Sequence, residues 1–157
     1  YLKIEIDEIK TPVYLENKKK LFCIIYCMNL IKILTAENEN NIEIYNLLEK
    51  LFKIIEFDNW LVEFLYLELN ILKSIGYDIS FKDYVVDKNI NGQTKYIVDS
   101  SQKFIPNFLI DKNISPENLK DIYSGFSIVG DFLDKTIIKP NNKNYPTSRN
   151  DFINLLK

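Results

Sequence analysis

Few residues in this chain of 157 could carry chemistry, and their types limit what that chemistry can be. There is no histidine, which removes the side chain most used for proton transfer near neutral pH, the Ser-His and Cys-His nucleophile pairs, and any zinc site that includes histidine. Two carboxylate pairs could be read as metal or acid-base sites: Glu63 with Glu68, and Asp131 with Asp134, the latter on one helix face at i, i+3. Neither is accompanied by a glycine loop, a metal motif or a third ligand, so both read as structural and an acidic metal-dependent hydrolase is set aside. Cys23 and Cys27 are the only cysteines and lie one helical turn apart, a poor geometry for a disulfide. They read as small buried hydrophobes, and no metal or other cofactor is expected.

The remaining candidates are cations suited to contacts with a partner. Lys18-Lys19-Lys20 is the single basic cluster and lies beside Leu21 and Phe22. Lysines at a helix N-terminus conflict with the helix dipole, which points away from a merely solvated helix start, the simpler alternative. Lys50 and Lys53 flank Leu51 and Phe52; pairing with Glu49 and Glu56 on a surface face is their alternative. Arg149 is the lone arginine, with a fork suited to carboxylate or phosphate. An internal ion pair or a capping role is equally open to it.

The elements that must position these residues are mostly helices. Leu2, Ile4 and Ile6 alternate with Lys3, Glu5 and Asp7, the pattern of a half-buried strand, broken at Thr11-Pro12. Asn17 is placed to cap a helix running to about Ala36, with Leu21, Ile24, Ile25, Met28, Ile31 and Leu34 at helical spacing. After a polar loop at 37–41, a second helix carries Ile42, Tyr45, Leu48, Leu51, Phe52 and Ile55. A third starts near Asp58 as N-cap, carries Trp60, Leu61, Phe64, Leu65, Leu69 and Leu72, and ends at Gly76. Residues 77–109 change character: two β-prone runs, Tyr84–Val86 and Lys95–Val98, flank Asn91-Gly92, predicting a hairpin that Pro106–Leu109 closes. Ser115-Pro116-Glu117 predicts another helix start. That helix contains Gly125 and Gly130, whose cost of roughly 1 kcal/mol each implies close approach of a neighbouring backbone. Pro140 stops it, and Thr147 or Ser148 is expected to cap a last helix with Phe152, Leu155 and Leu156. The aromatic residues Tyr45, Phe52, Trp60 and Phe64 read as core rather than as a base-stacking platform.

The fold class expected is mainly α: a helical bundle with a small β-hairpin insertion and a remnant N-terminal strand. With 46% hydrophobic and 13% aromatic residues the chain can bury a substantial core. No apolar run reaches the roughly 18 residues of a membrane span, no signal peptide is recognisable, and a cytoplasmic location is the simplest expectation. Charge is uneven: +2 over residues 1–36, −6 over 37–80 and +1 over each of 81–114 and 115–157. That is not the basic footprint of a nucleic-acid-binding domain. Tyr1 stands where an initiator Met would, and Tyr1–Lys10 reads like the middle of a strand, so an N-terminal portion is expected to precede it.

This succession resembles the helical C-terminal region of the RecO recombination-mediator family. The residues that carry the resemblance are LYLELNILKSIGY at Leu65–Tyr77, TKYIVDSSQKFIPNFL at Thr94–Leu109, GDFL at Gly130–Leu133 and PTSR at Pro146–Arg149. On that resemblance residues 1–10 are the end of an N-terminal OB barrel, 11–76 a helical bundle, 77–109 a hairpin equivalent to the family's zinc region, and 110–157 closing helices of the same domain. The zinc-binding cysteines are absent, Tyr84 standing about where the first would be, so the chain resembles the zinc-free members. The resemblance implies a non-catalytic DNA repair and recombination mediator of the bacterial cytoplasm and nucleoid. Such a protein anneals complementary strands and loads RecA together with RecR. It receives the acidic C-terminal tail of single-strand-binding protein on its helical region, and contacts DNA mainly through the missing barrel. Such a tail needs an apolar slot for its terminal aromatic residue and cations for its carboxylates. The partner-binding candidates are then Lys18, Lys19, Lys20, Phe22, Lys50, Lys53 and Arg149. A helical scaffold or adaptor domain without a nucleic-acid role is the alternative.

Overall fold

The computed structural model describes residues 17–35, 42–98 and 101–157. The strand expected at residues 2–6 and the polar loop at 37–41 lie outside them. The described residues form six α-helices and a small three-stranded antiparallel sheet, in keeping with the mainly α expectation. They are α1 (Lys18–Leu34), α2 (Ile42–Ile54), α3 (Trp60–Ser74), α4 (Asn107–Ile110), α5 (Leu119–Phe132) and α6 (Thr147–Asn154). A 3-10 turn (Phe81–Tyr84) leads into β1 (Val85–Ile90), β2 (Gln93–Val98) and β3 (Phe104–Ile105), and a π-helical turn (Leu133–Ile138) extends α5.

The helix ends show which local signals held. Asn17 caps α1, its Oδ1 accepting the Lys20 N–H at 3.3 Å. Gly76 ends α3 at φ +98°. Its N–H donates to the Lys73 carbonyl and that of Tyr77 to Leu72, the paired bonds of a Schellman motif. Asn91 and Gly92 both take positive φ and join β1 to β2 in the expected hairpin. Three other starts are displaced. α3 begins after Asn59 rather than Asp58, with no side-chain cap. α5 begins after Asn118, whose Oδ1 accepts from Lys120 at 2.8 Å and Asp121 at 3.2 Å. A side chain that bonds two orphan N–H groups fixes the start there, and Ser115 is left outside the helix. At α6 neither Thr147 nor Ser148 caps: Pro146 holds that position, and the Ser148 hydroxyl instead accepts from Asn29 Nδ2 at 3.0 Å.

α3 is the central helix, burying Val62, Phe64, Leu65, Leu67, Glu68, Ile71 and Leu72. Against it α1 buries Cys23, Tyr26, Cys27 and Leu30, while Ile25 and Met28 of the expected face remain exposed. α1 is apolar all round, so hydrophobic spacing alone does not select its inner side. Tyr26 selects it, because its hydroxyl reaches a buried carboxylate of α3. On α2 likewise the inward residues are Ile44, Leu51 and Ile54, with Ile42 and Tyr45 exposed. The glycines of α5 are hemmed in by side chains, not by a backbone. A Cβ on Gly125 would stand 2.7 Å from Leu65 Cδ2 and 3.1 Å from Phe108 Cζ.

Candidate functional site

The chemically distinctive cluster is buried where α1, α3, α5 and α6 meet. Glu68 follows Phe64-Leu65-Tyr66-Leu67 on α3 and is completely enclosed. An ionised carboxylate in such surroundings requires a cation and further donors. Arg149, from the first turn of α6 and only 3% exposed, supplies them. Its Nε donates to Glu68 Oε1 at 3.1 Å, and its Nη2 lies 3.4 Å from Oε2. Nη2 also donates to the Phe126 carbonyl of α5 at 2.6 Å. Nη1 donates to the Tyr145 hydroxyl at 3.2 Å, and Nε also approaches the Tyr26 hydroxyl at 3.2 Å. The Tyr26 hydroxyl in turn donates to Glu68.

Aromatic rings enclose the pair. Phe152 of α6 stacks on Tyr26 and meets Phe64 and Phe126 edge-on at 5.6 and 5.5 Å. The guanidinium carbon lies 5.6 Å from the Tyr26 centroid and 6.0 Å from that of Phe126. Gly130 makes room for it: a Cβ there would come within 3.0 Å of both Arg149 Cζ and the Tyr145 hydroxyl. Burial by itself would lower the guanidinium pKa, but the Glu68 carboxylate outweighs it, and Arg149 is held firmly charged. Burial, reinforced by Glu68, pushes the Tyr26 phenol well up, and burial raises Tyr145 as well. Among the described residues no buried side-chain nitrogen or oxygen lacks a partner. A closed and fully satisfied cluster of this kind holds elements together and offers no face to a substrate.

The partner-contacting candidates separate accordingly. Lys18 and Lys19 are exposed and Lys20 half-buried at the start of α1, whose first turn has no acidic residue to offset them. Phe22, beside them, is half-buried and packs on the core. Lys50 and Lys53 are exposed on α2. None of these five lysines forms an ion pair among the described residues. Arg149 does not join them: of the roles open to it, the structure shows the internal ion pair. Sequence reading missed Tyr26, Glu68 and Tyr145 as its partners. The signal was a carboxylate set in the most apolar helix of a chain with one arginine.

Cys23 and Cys27 are buried free thiols, as expected. No group of three His, Cys, Asp or Glu among the described residues could hold a metal ion. No helix among them is long and apolar enough to cross a membrane.

Fold and site together define a helix-bundle domain with a small sheet, closed by a C-terminal helix that is keyed into the bundle through one buried ion pair. The family model for the C-terminal part of recombination protein O matches residues 15–122, and the chain belongs to the RecO family, of which it is the C-terminal helical region. It is similar to the DNA repair protein RecO of Ehrlichia chaffeensis, 25% identical over 131 residues that cover 79% of this chain and 53% of that protein. The chain thus spans about half the length of the relative it matches. No solved structure matches it. Tyr26 and Glu68 lie inside the stretch matched by the family model, and Tyr145 and Arg149 beyond it.

Proposed function

We propose that the chain is the helical region of a DNA repair and recombination mediator that works through protein contacts without catalysis. Membership of the RecO family over residues 15–122 carries this reading. In it, residues 11–76 and 110–157 form one helical domain with 77–109 as an insertion, in a bacterial cytoplasmic protein acting at the nucleoid. Its partners are the acidic C-terminal tail of single-strand-binding protein and RecR. With these partners it assists strand annealing and RecA loading, while DNA is contacted mainly through the family's barrel.

For the tail, the start of α1 is the best supported contact. Lys18, Lys19 and Lys20 crowd the positive end of a helix whose own first turn carries no acidic residue, beside the half-buried ring of Phe22. A cationic cluster next to apolar surface suits a peptide that ends in an aromatic residue and a carboxylate. Lys50 and Lys53 are further cations available to the same peptide.

Fluorescence-anisotropy titration of the chain with a labelled tail peptide, at low and moderate salt, tests this. Saturable, salt-sensitive binding that is lost on deleting the terminal Phe is expected. Lys18→Glu with Lys19→Glu should weaken it about tenfold or more while leaving the helical circular dichroism unchanged. Unchanged affinity in that variant removes the cluster, and no binding by the folded chain returns the helical scaffold or adaptor as the leading reading.

A further inference from the structure

A cleft of about 150 Å³ opens between the sheet and the first turns of α5. Ile105 and Phe108, 5% and 1% exposed, are core residues that close its inner end. Phe104 and Ile114, 52% and 39% exposed, stand at its mouth and leave apolar surface in water. The walls are pinned without a ligand. Asn107 Nδ2 donates to the Thr94 carbonyl at 2.9 Å, tying the corner after β3 to β2. On the other side the Ile114 N–H donates to the Asp111 carbonyl at 3.0 Å, and the Glu117 N–H to Asp121 Oδ2 at 2.9 Å. Pro106 and Pro116 each lock one backbone angle of the lining. A cleft held open in this way loses little freedom when it is filled.

The lining carries charges of both signs. Lys95 comes from β2, Glu117 and Asp121 from the start of α5, and neither Lys95 nor Glu117 forms an ion pair among the described residues. Cofactors and drug-sized ligands occupy about 300–1,000 Å³, so this cleft has room for one branched apolar side chain. The apolar mouth and the two signs of charge reach past the cavity, and a small free molecule would leave them uncovered. We propose that the cleft takes an extended peptide segment of a partner protein, with one branched apolar side chain in the slot. In an extended chain the residues two positions to either side share its face. A basic residue there meets Glu117 and Asp121, and an acidic one on the other side meets Lys95. The same charges discriminate against a ligand that is acidic throughout, which Glu117 and Asp121 repel. None of the lining residues belongs to α1 or α2, so the inference does not depend on the tail-binding reading.

The test is a titration of the 15N-labelled chain with the end-blocked peptide Ser-Arg-Ser-Leu-Ser-Glu-Ser, with the reverse order in parallel, followed by amide chemical shifts. Saturating shifts at Lys95, Phe104, Ile114, Glu117 and Ser124 are expected for one of the two orders, with a dissociation constant of about 1 mM or tighter. Replacing Leu by Ser in the peptide should weaken binding about tenfold or more. Glu in place of Arg should weaken it as well, and Glu117→Lys in the protein should do so about tenfold. Glu117 is exposed, so the spectrum of that variant should otherwise match the parent. No shifts, shifts confined to other residues, equal binding of the Ser or Glu peptide, or unchanged affinity in Glu117→Lys overturns the proposal. Shifts of the same residues on diluting the chain alone would give the cleft to a second copy and overturn it too.

Discussion

Arg149→Met removes the cation from the buried cluster and keeps most of the side chain's apolar bulk. At the observed 3.1 Å, and with an effective dielectric of about 20, the attraction lost is on the order of 5 kcal/mol. Breaking a buried pair from one side costs about 3–5 kcal/mol in practice, because the remaining carboxylate is left buried without a counter-charge. Glu68 would be in that position, and the Phe126 carbonyl would lose its 2.6 Å donor. A domain of this size has roughly 5–15 kcal/mol of stability in total, so the variant should be marginal. Urea unfolding followed by Trp60, the only tryptophan and 6.3 Å from Phe152, reports on this region directly. With a slope of about 2 kcal/mol/M the midpoint should fall by roughly 1.5–2.5 M. Replacing both partners, Glu68→Leu with Arg149→Met, should recover most of that loss, because no charge then remains buried. If Arg149→Met stays within about 1 kcal/mol of the parent at unchanged slope, the pair does not hold the fold and the account of the cluster is wrong.

Gly130→Ala should cost about 1–3 kcal/mol by overpacking against Arg149 and Tyr145, despite gaining roughly 1 kcal/mol of helix propensity; a smaller cost in the Arg149→Met background, read from urea curves, would confirm the contact. Burial pushes Cys27 up to about 12 and raises Cys23 well above its ordinary value of 9.0, so neither thiol should react with a disulfide reagent at pH 8 until urea unfolds the chain. Prompt reaction in the native state would contradict their enclosure. These thiols and the Tyr26 phenol, ordinarily at 10.0, keep their protons in the fold to a higher pH than in the unfolded chain. Stability should therefore be complete below about pH 9 and decline as pH rises beyond it; an unfolding free energy that stays level to pH 10.5 would refute this.

The parts of the fold legible in the sequence were those fixed by backbone chemistry at one position. Asn17, Gly76 and Asn91-Gly92 each satisfy a local geometric demand that few other residues can meet. What failed was the choice between sides of an all-round apolar helix. Ile25 and Met28 have the spacing of a core face, yet α1 turns Cys23, Tyr26 and Cys27 inward, because a single hydroxyl must reach Glu68. Helix starts failed where several candidate caps compete, as Asn118 does with Ser115. Arg149 was visible as an isolated cation, but the partners that decide its role come from α1, α3 and α5, and no local pattern joins them.

The distance along the chain between Glu68 and Arg149 has a consequence for how the protein is made. The carboxylate is synthesised 81 residues before the guanidinium that neutralises it, an interval of roughly 4–16 s at ordinary translation speeds. Once Phe126 is made, 23 residues before Arg149 and so for roughly the last 1–5 s of that interval, Glu68, the Tyr26 hydroxyl and the Phe126 carbonyl line an unfilled seat between three helices. The nascent bundle can collapse around α3 in that time, but it cannot seal. For those seconds its interior stays open to water, and the pair that later closes the bundle is held apart only by the order of synthesis.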